Sequence, residues 1–322
     1  MKAVIVDEYG GPEVLKLREV AEPEIADDQV LVKVRAAGVN PVDWKIREGY
    51  VAEVFACQLP LIPGWDMAGI VERVGEKVQR FKPGDEVYAY SRLELVQFGT
   101  YAEYSPAYEH MLARKPENLD FSEAATIPLA ALTAWQALVD FAELKQGESV
   151  FITAGSGGVG GFAIQIAKHL GAKVCAASSA KNHEYMKFLG ADHLIDYQND
   201  DIEASVKSFA VEGVDVVFDC TGRENVAINF DYLKKPGGRM ATINGLAHTI
   251  PELDRNADLH RVRVKLVVVE PNGEQLNELT RLIEDNSIEP LPFESLPLEQ
   301  AAEAQNLSQA GHVRGKIALI IS

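Results

Sequence analysis

The spacing of apolar residues predicts short strands over roughly the first 120 residues. The alternating residues of VLVKVRAA (30–37) share one apolar face: Val30, Val32, Val34 and Ala36. IVERV (70–74) and EVYAY (86–90) are further short strand patterns, and the Pro-Gly-Asp of FKPGDEV (81–87) predicts a turn between strands. Many short strands joined by glycine and proline turns predict a β-rich domain built as a small barrel or sandwich.

After residue 120 the pattern alternates between helices and apolar strands. FSEAATIPLAALTAWQAL (121–138) predicts a helix with Ser122 as N-cap, and GVGGFAIQIAKHLG (158–171) and HEYMKFLG (183–190) predict two more. The predicted strands are SVFIT (149–153), AKVCAAS (172–178), HLIDY (193–197), VDVVFD (214–219), RMATIN (239–244) and VKLVVVE (264–270). Apolar strands that alternate with helices indicate a doubly wound parallel sheet of the α/β class.

The C-terminal part predicts a return to the first domain. NGEQLNELTRLIEDN (272–286) has a helical pattern, and it is followed by a strand in LPFESLP (291–297). LEQAAEAQNLSQ (298–309) is a second helix and GKIALII (315–321) a last strand. Because such a tail commonly completes a barrel, we expect it to pair with strands of the first domain.

Composition and charge narrow the possible partners. The chain has 322 residues, with 48 acidic and 31 basic side chains and a net charge of −17. This charge argues against nucleic acid or an anionic membrane as a main partner. The three cysteines form no CxxC pair, and no apolar stretch is long enough for a signal peptide core or a membrane span. We therefore expect a cytoplasmic protein with about two domains.

A glycine-rich loop joins the strand SVFIT to the helix that follows it. In AGSGGVG (154–160), three glycines match the GxGxxG pattern: Gly155, Gly157 and Gly160. In this position the first glycine permits a tight turn, the second lets the backbone approach a pyrophosphate, and the third lets helix and sheet pack closely. The alternative is a flexible turn without a ligand. The predicted dinucleotide contacts in the loop are Gly155, Ser156, Gly157, Gly158, Val159 and Gly160.

The residues after the next strand favour NADPH over NADH. An NAD site usually has an acidic residue here, which binds the ribose 2′-hydroxyl. This chain has Ser178, Ser179 and Lys181 instead, and Tyr197 ends the following strand. Hydroxyl groups and an ammonium suit a 2′-phosphate. The alternative is that the serines and the lysine only cap a helix.

These features together resemble the medium-chain dehydrogenase/reductase superfamily, and within it the zinc-free quinone oxidoreductase (zeta-crystallin-like) and enone reductase branch. The resemblance covers nearly the whole chain, and the segments that carry it are AAGVNPVDWKIREG (36–49), PLIPGWDMAGIVERVG (60–75), FKPGDEVYAY (81–90), GTYAEY (99–104), IPLAALTAWQAL (127–138), AGSGGVGGFAIQIAKHLGA (154–172) and KFLGADHLIDY (187–197). It implies a GroES-like catalytic domain at 1–122, a Rossmann NADPH-binding domain at 123–270, and a linking helix with the C-terminal return at 271–322.

The same resemblance bears on PGWDMAG (63–69), an aromatic residue and a carboxylate between two glycines. Zinc-dependent members have a cysteine where this chain has Asn40 and a histidine where it has Trp65. Asp66 alone cannot supply the three protein ligands that a catalytic zinc needs. We therefore predict no metal, with Trp65 as the wall of an apolar pocket. Asp66 either takes part in catalysis or only bonds backbone and a neighbouring cation.

Without a metal, reduction of an electrophilic acceptor is favoured over alcohol oxidation, because an alkoxide would lack stabilisation. A quinone or α,β-unsaturated carbonyl accepts hydride at carbon and spreads the charge onto its oxygen, which hydrogen-bond donors can stabilise. The candidate donors are Asn40, near the nicotinamide, and Lys45, whose alternative is a surface charge. The predicted catalytic residues are Asn40, Lys45, Trp65 and Asp66.

Further cofactor contacts follow from the rule that ligands bind at the carboxyl ends of parallel strands. Thr133 resembles a threonine that lies close to the nicotinamide in the family, and Cys220 reads as a small buried residue rather than a nucleophile. Arg314 or Lys316 reaches the cofactor phosphates, or else lies in a solvated turn. The further predicted cofactor-binding residues are Asn40, Thr133, Cys220, Thr221, Ile243, Asn244, Gly245 and Arg314.

Two other functions stay open at this point. An enoyl-thioester reductase uses the same hydride chemistry on a longer ligand. The other is a non-enzymatic NADPH-binding protein, structural or sensing, since lens crystallins of this branch show that the fold can be used so. We also expect a homodimer, because VKLVVVE can pair edge to edge across a two-fold axis, as in the enzymes that the chain resembles.

Overall fold

The computed structural model describes residues 1–52, 54–221, 226–243 and 250–322. By its internal contacts the chain divides into two compact units, one of Met1–Leu132 with Glu270–Ser322 and one of Thr133–Val269. Within the described residues, no helix has the length and apolar character needed to cross a bilayer.

The strands, in chain order, are β1 (Lys2–Val6), β2 (Leu15–Glu19), β3 (Gln29–Val39), β4 (Ala56–Ile62), β5 (Asp66–Val74), β6 (Glu86–Tyr90), β7 (Leu95–Phe98), β8 (Tyr104–Tyr108), β9 (Leu112–Arg114), β10 (Ser149–Ile152), β11 (Lys173–Ser178), β12 (His193–Asp196), β13 (Val216–Asp219), β14 (Arg239–Thr242), β15 (Arg263–Leu266), β16 (Phe293–Pro297) and β17 (Lys316–Ile320). The helices are α1 (Pro41–Arg47), α2 (Phe121–Ala125), α3 (Pro128–Trp135), α4 (Gly158–His169), α5 (His183–Phe188), α6 (Ile202–Phe209), α7 (Val226–Asn229), α8 (Ile250–His260), α9 (Gly273–Glu284) and α10 (Ala301–Ala310).

The first unit is built from two β-sheets. Seven strands form the larger sheet, in the order β16-β17-β3-β5-β6-β9 with β8 paired to β3, and four form the smaller one, β2-β1-β4-β7. The C-terminal strand β17 pairs antiparallel with β3. The predicted return of the tail to strands of the β-rich part is therefore confirmed, and the fold class is as predicted.

A bulge changes the face of β3 that enters the core. The register against β5 shifts between Val34 and Ala36, so that Ala37 and Val39, not Ala36, join Val34 in one apolar cluster. The strict alternation predicted for 30–37 is thus wrong at its end, because one extra residue in a strand reverses the side-chain alternation after it. The bulge lies four to six residues before Asn40, and it sets the direction in which the chain leaves the strand.

The helix predicted over 121–138 is interrupted. It consists of α2, α3 and a π-helical segment, Gln136–Phe141. The N-cap is Asp120 and not Ser122, because the Asp120 carboxylate accepts from Glu123 N at 2.8 Å and the Glu123 carboxylate accepts from Asp120 N at 2.9 Å. This reciprocal pair is a capping box that satisfies two backbone donors at the helix start.

The second unit has a six-stranded sheet in the order β12-β11-β10-β13-β14-β15. Every pairing in it is parallel, as the alternating pattern predicted. Its strands pack on an apolar cluster that includes Phe151, Val217 and Met240. The strand predicted at 264–270 is shorter, since β15 ends at Leu266 and Val268 is half exposed.

Candidate functional site

Strand register in the first unit brings three distant polar residues together. Gly38 near the end of β3 pairs with Asp66, and Val39 pairs with Ile317. Asn40, which follows β3, therefore lies beside both Asp66 and Lys316. All three side chains are buried, with 1% of Asn40, none of Asp66 and 5% of Lys316 exposed.

The carboxamide of Asn40 bonds to both of its charged neighbours. Its Nδ2 donates to Asp66 Oδ2 at 2.8 Å, and its Oδ1 accepts from the Lys316 ammonium. Lys316 Nζ also donates to Val39 O at 3.1 Å. The other oxygen of Asp66 accepts from Leu129 N at 2.9 Å, at the start of α3. Asp66 thus bonds backbone, as one of its two alternatives predicted, and a neighbouring amide, while its part in catalysis stays a prediction.

A second buried carboxylate, Asp43, lies in the first turn of α1. Its Oδ2 accepts from Asn40 N and from the Tyr101 hydroxyl, each at 2.8 Å. Burial raises the pKa of Asp43 to about 7 and that of Asp66 to about 6, while the positive charge of Lys316 lowers both. Two carboxylates in one desolvated site therefore depend on a single buried ammonium for charge balance.

This donor set does not fit a catalytic zinc ion. Asn40 Oδ1 is bonded to an ammonium, and both oxygens of Asp66 accept from N–H groups. A cation placed among these groups would be repelled by Lys316. In the part of the chain that the structure describes, no three or more His, Cys, Asp or Glu side chains are grouped to hold a metal.

Trp65 is the centre of an aromatic group. Its ring lies edge to face with Phe55 at 5.7 Å and tilted against Tyr90 at 5.9 Å. The Arg92 guanidinium lies 4.7 Å from the Phe55 ring and its Nε donates to Tyr90 Oη at 2.9 Å. These four side chains form a closed ring of contacts in which Trp65 is held rigidly. Its role as a pocket wall stays a prediction.

Lys45 lies on α1, two residues after Asp43. It is half-buried, and its ammonium lies 5.6 Å from the centroid of the Trp44 ring. Trp44 in turn meets the exposed Tyr50 edge to face at 6.2 Å. Lys45 and Trp44 therefore lie on the same short helix as Asp43, and Lys45 is only partly exposed. The role of Lys45 as a donor to the substrate stays a prediction.

In the second unit, the glycine loop has the features of an anion site. Gly157 is the N-cap of α4 and provides no side-chain cap, so the first N–H groups of the helix keep donor capacity. Gly160 approaches Ala154 so closely that an added Cβ would lie 2.3 Å from its carbonyl oxygen. At Gly157 an added Cβ would meet, among the described residues, a single atom, the Ala154 carbonyl oxygen at 3.4 Å. Gly160 thus has the close packing expected of the third glycine, and Gly157 has the open approach expected of the second. Both features fit a bound pyrophosphate.

The end of β11 carries the groups predicted for a 2′-phosphate. Ser178 is buried and its hydroxyl donates to Ser179 O at 3.1 Å, whereas Lys181 and Tyr197 are exposed. Asn182, which sequence reasoning missed, donates to Ser156 Oγ at 3.0 Å. It thereby ties the glycine loop to the segment after β11.

Asp219 is a second residue that the sequence did not single out. It ends β13, is fully buried, and accepts from Thr153 Oγ1 at 3.1 Å, Thr242 Oγ1 at 2.9 Å and Thr221 Oγ1 at 2.7 Å. It therefore joins the carboxyl ends of three neighbouring strands. Its position at a predicted strand end was the available signal.

The remaining predicted cofactor-binding residues run from Cys220 onward along the chain, together with Thr133. Desolvation and the nearby Asp219 carboxylate raise the pKa of Cys220 well above its usual range, which disfavours a nucleophilic thiolate. Ile243 N donates to Asp219 O at 3.2 Å, while Asn244 and Gly245 lie outside the described residues. Thr133 is buried in the second unit.

Arg314 and Lys316 belong to the first unit and differ in exposure. Arg314 is exposed, and its role at the cofactor stays a prediction. Lys316 fits neither alternative that the sequence offered. Its ammonium is bonded to Asn40 and Val39 in the interior, so it is neither in a solvated turn nor directed to a phosphate.

Comparison with known proteins identifies the family. Residues 26–117 match the alcohol dehydrogenase GroES-like domain and residues 189–319 match a zinc-binding dehydrogenase family. The NADPH-dependent alkenal/one oxidoreductase of Arabidopsis thaliana chloroplasts is 39% identical, over 98% of this chain and 78% of the relative. The chain belongs to the medium-chain dehydrogenase/reductase superfamily.

Two solved structures of this superfamily extend the comparison. The quinone oxidoreductase from Coxiella burnetii superposes with a TM-score of 0.89 at 34% identity, covering 100% of this chain and 99% of the other. The quinone oxidoreductase of Escherichia coli complexed with NADPH has a TM-score of 0.87 at 27% identity, and 100% of both chains is covered. The superfamily resemblance and the α/β fold class predicted from the sequence are confirmed.

Two glycines of the loop should have different roles, Gly160 in backbone packing and Gly157 in ligand binding. We predict that Gly160→Ala lowers the free energy of unfolding by about 1–3 kcal/mol, because the new methyl group meets backbone that cannot yield. Gly157→Ala is the matched control, and it should keep the wild-type stability and weaken NADPH binding. Urea unfolding and fluorescence titration with NADPH measure the two effects. Equal destabilisation by both variants, or unchanged binding in Gly157→Ala, would contradict the assignment.

Proposed function

We propose that the protein is an NADPH-dependent oxidoreductase that reduces quinones or α,β-unsaturated carbonyls without zinc. The observation that carries this proposal is the Asn40 carboxamide, bonded between Asp66 and Lys316 where zinc-dependent relatives have a metal ligand. The alkenal/one and quinone oxidoreductases among the relatives support the same chemistry.

The proposed preference for NADPH over NADH depends on residues of the second unit. We infer that the N-terminus of α4 and the glycine loop hold the pyrophosphate, and that Ser178, Ser179 and Lys181 hold the 2′-phosphate. No carboxylate stands at the end of β11 itself, where Ser178 is the last residue. The NADPH complex of the Escherichia coli relative supports this choice. When bound, the reduced nicotinamide would supply a hydride.

The first unit would stabilise the charge that hydride transfer creates on the substrate. Addition of hydride to the β-carbon moves the alkene electron pair toward the carbonyl oxygen, which becomes an enolate. Asn40 has a second Nδ2–H beyond the one that bonds Asp66, and Lys45 carries an ammonium on the adjoining helix turn. Both are donors of the kind that stabilise an oxyanion in a desolvated site. A proton then reaches the α-carbon from water or from the Lys45 ammonium, since a carboxamide N–H is too weak an acid to transfer one.

The direct test is oxidation of NADPH and NADH, followed at 340 nm, by metal-stripped protein with 1,4-benzoquinone, 9,10-phenanthrenequinone and 1-octen-3-one. We expect turnover with NADPH that a chelator does not diminish.

Lys181→Ala should raise the KM for NADPH about tenfold, because a charge-assisted hydrogen bond to the phosphate is lost, and leave NADH turnover unchanged. Lys187→Ala removes an exposed lysine on the neighbouring α5 and serves as the control.

Four results would count against this function. Loss of turnover on chelation would contradict the zinc-free assignment, and equal use of NADH would contradict the phosphate site. Tight NADPH binding without turnover of any acceptor would favour the non-enzymatic alternative. A crotonyl thioester belongs in the same assay, since turnover of that substrate alone would favour an enoyl-thioester reductase.

We further propose that the protein is a homodimer. The strand β15 is the last strand of the six-stranded sheet, and its described outer edge has no neighbouring strand. Such an edge can pair with its copy across a two-fold axis. Sedimentation velocity at micromolar concentration should give twice the mass of 35.2 kDa. A monomeric mass would refute the dimer without affecting the proposed reaction.

The proposal includes a cytoplasmic location, supported by three cysteines that form no disulfide. Recovery of the native protein in a membrane or organelle fraction would contradict it.

A further inference from the structure

The buried lysine at the start of β17 contacts Asn40, yet the proposed reaction gives it no role of its own. Lys316 is 5% exposed, and its ammonium donates to Val39 O and Asn40 Oδ1. Lysine is rarely buried, because removing an ammonium from water costs free energy that neighbouring charges and hydrogen bonds only partly offset. Its place in the interior therefore calls for a function.

Lys316 and Asp66 together fix the orientation of the Asn40 carboxamide. Its oxygen accepts from the ammonium on one side and its nitrogen donates to the carboxylate on the other. Rotating the amide by half a turn would place its NH₂ against the ammonium and its oxygen against the carboxylate. Both contacts would then be repulsive, so the charge pair allows only one orientation.

The charges that face Asp66 come from several elements. Lys316 lies on β17, Asp43 on α1, and the hydroxyls of Tyr90 and Tyr101 complete the titratable neighbours. Lys316 is the cation among them that lowers the pKa of Asp66, which burial raises to about 6. Without this cation the pKa of Asp66 would rise further. A protonated Asp66 would no longer accept with full charge from Asn40 Nδ2.

We propose that Lys316 is a positioning residue, which holds the Asn40 carboxamide in the one orientation that leaves its second N–H for the substrate oxygen. The proposal rests on the proposed function, because that function gives the second N–H its role. In this arrangement the lysine takes the place of a metal as the local positive charge, and it acts through Asn40 without touching the substrate.

The test compares Lys316→Met with Lys115→Met. Lys115 is the matched control, since it is also buried in the first unit but donates to Pro116 O and Leu119 O, away from Asn40. We expect Lys316→Met to lower kcat at neutral pH by about 10- to 100-fold, as a misplaced catalytic group does, with little change in the KM for NADPH. Lys115→Met should keep the wild-type kcat even where it lowers stability.

The pH profile of kcat separates positioning from a structural role. Because a protonated Asp66 accepts more weakly from Asn40 Nδ2, the wild-type kcat should fall as the pH drops through about 6. Loss of the ammonium moves this acid limb to higher pH in Lys316→Met, whereas Lys115→Met keeps it in place. Lys316→Arg retains the charge and should keep the limb close to the wild-type position.

The Asn40 side-chain amide provides a readout that needs no turnover. In ¹⁵N-labelled protein without cofactor, its Nδ2 protons, assigned by their absence in Asn40→Asp, should shift with the titration of Asp66. In Lys316→Met this titration moves to higher pH. If that variant does not fold, Lys316→Gln, which keeps a donor without the charge, takes its place in both measurements.

Two outcomes overturn the inference. One is a kcat within twofold of wild type together with an unmoved acid limb in Lys316→Met. The other is an Asn40 amide resonance that is unchanged by loss of the lysine. If the wild type turns over no acceptor, the proposed function fails instead, and the amide titration still decides whether Lys316 orients Asn40.

Discussion

The candidate site depends on one buried contact set, in which the Asn40 carboxamide lies between the carboxylate of Asp66 and the ammonium of Lys316. Each group alone would be costly to bury, and together they satisfy one another. The contact exists only because β3 pairs with β5 on one side and with β17 on the other. The C-terminal strand therefore supplies a residue to the candidate site as well as an edge to the sheet.

This arrangement explains why an electrophilic acceptor suits the protein. Zinc would polarise a carbonyl strongly enough for hydride exchange at the carbonyl carbon. An amide N–H and a nearby ammonium are weaker, yet they suffice for an enolate whose charge is already delocalised. The predicted cofactor contacts lie in the second unit, where Asp219 ties three strand ends together.

Much of the fold and part of the site could be predicted from the sequence. The glycine loop and the alternating strands are local patterns, and the structure confirms the strands and the parallel sheet. The end of β15 was missed because apolar valines continue beyond the last paired residue, and apolar character does not mark where pairing stops. The break before α3 and the Asp120 capping box were readable, since Pro128 and the Asp120–Glu123 spacing are both known helix-start signals.

The burial of Lys316 and the contacts of Asp219 were beyond local reasoning for a different reason. A lysine near a chain end is usually solvated, and only the long-range register of β17 against β3 buries this one. Asp219 gains its importance from the adjacent Thr221 and from Thr153 and Thr242, which are distant in sequence. Pairwise contacts of this kind leave no periodic signal in a single chain.

The most direct test of the account is the destination of the hydride. With NADPH that carries deuterium at the transferred position of C4 and 1-octen-3-one as acceptor, the product would be analysed by mass spectrometry and ²H NMR. The account predicts the saturated ketone with deuterium on the former terminal alkene carbon. Deuterium on the carbinol carbon of an allylic alcohol would show direct carbonyl reduction and would contradict it.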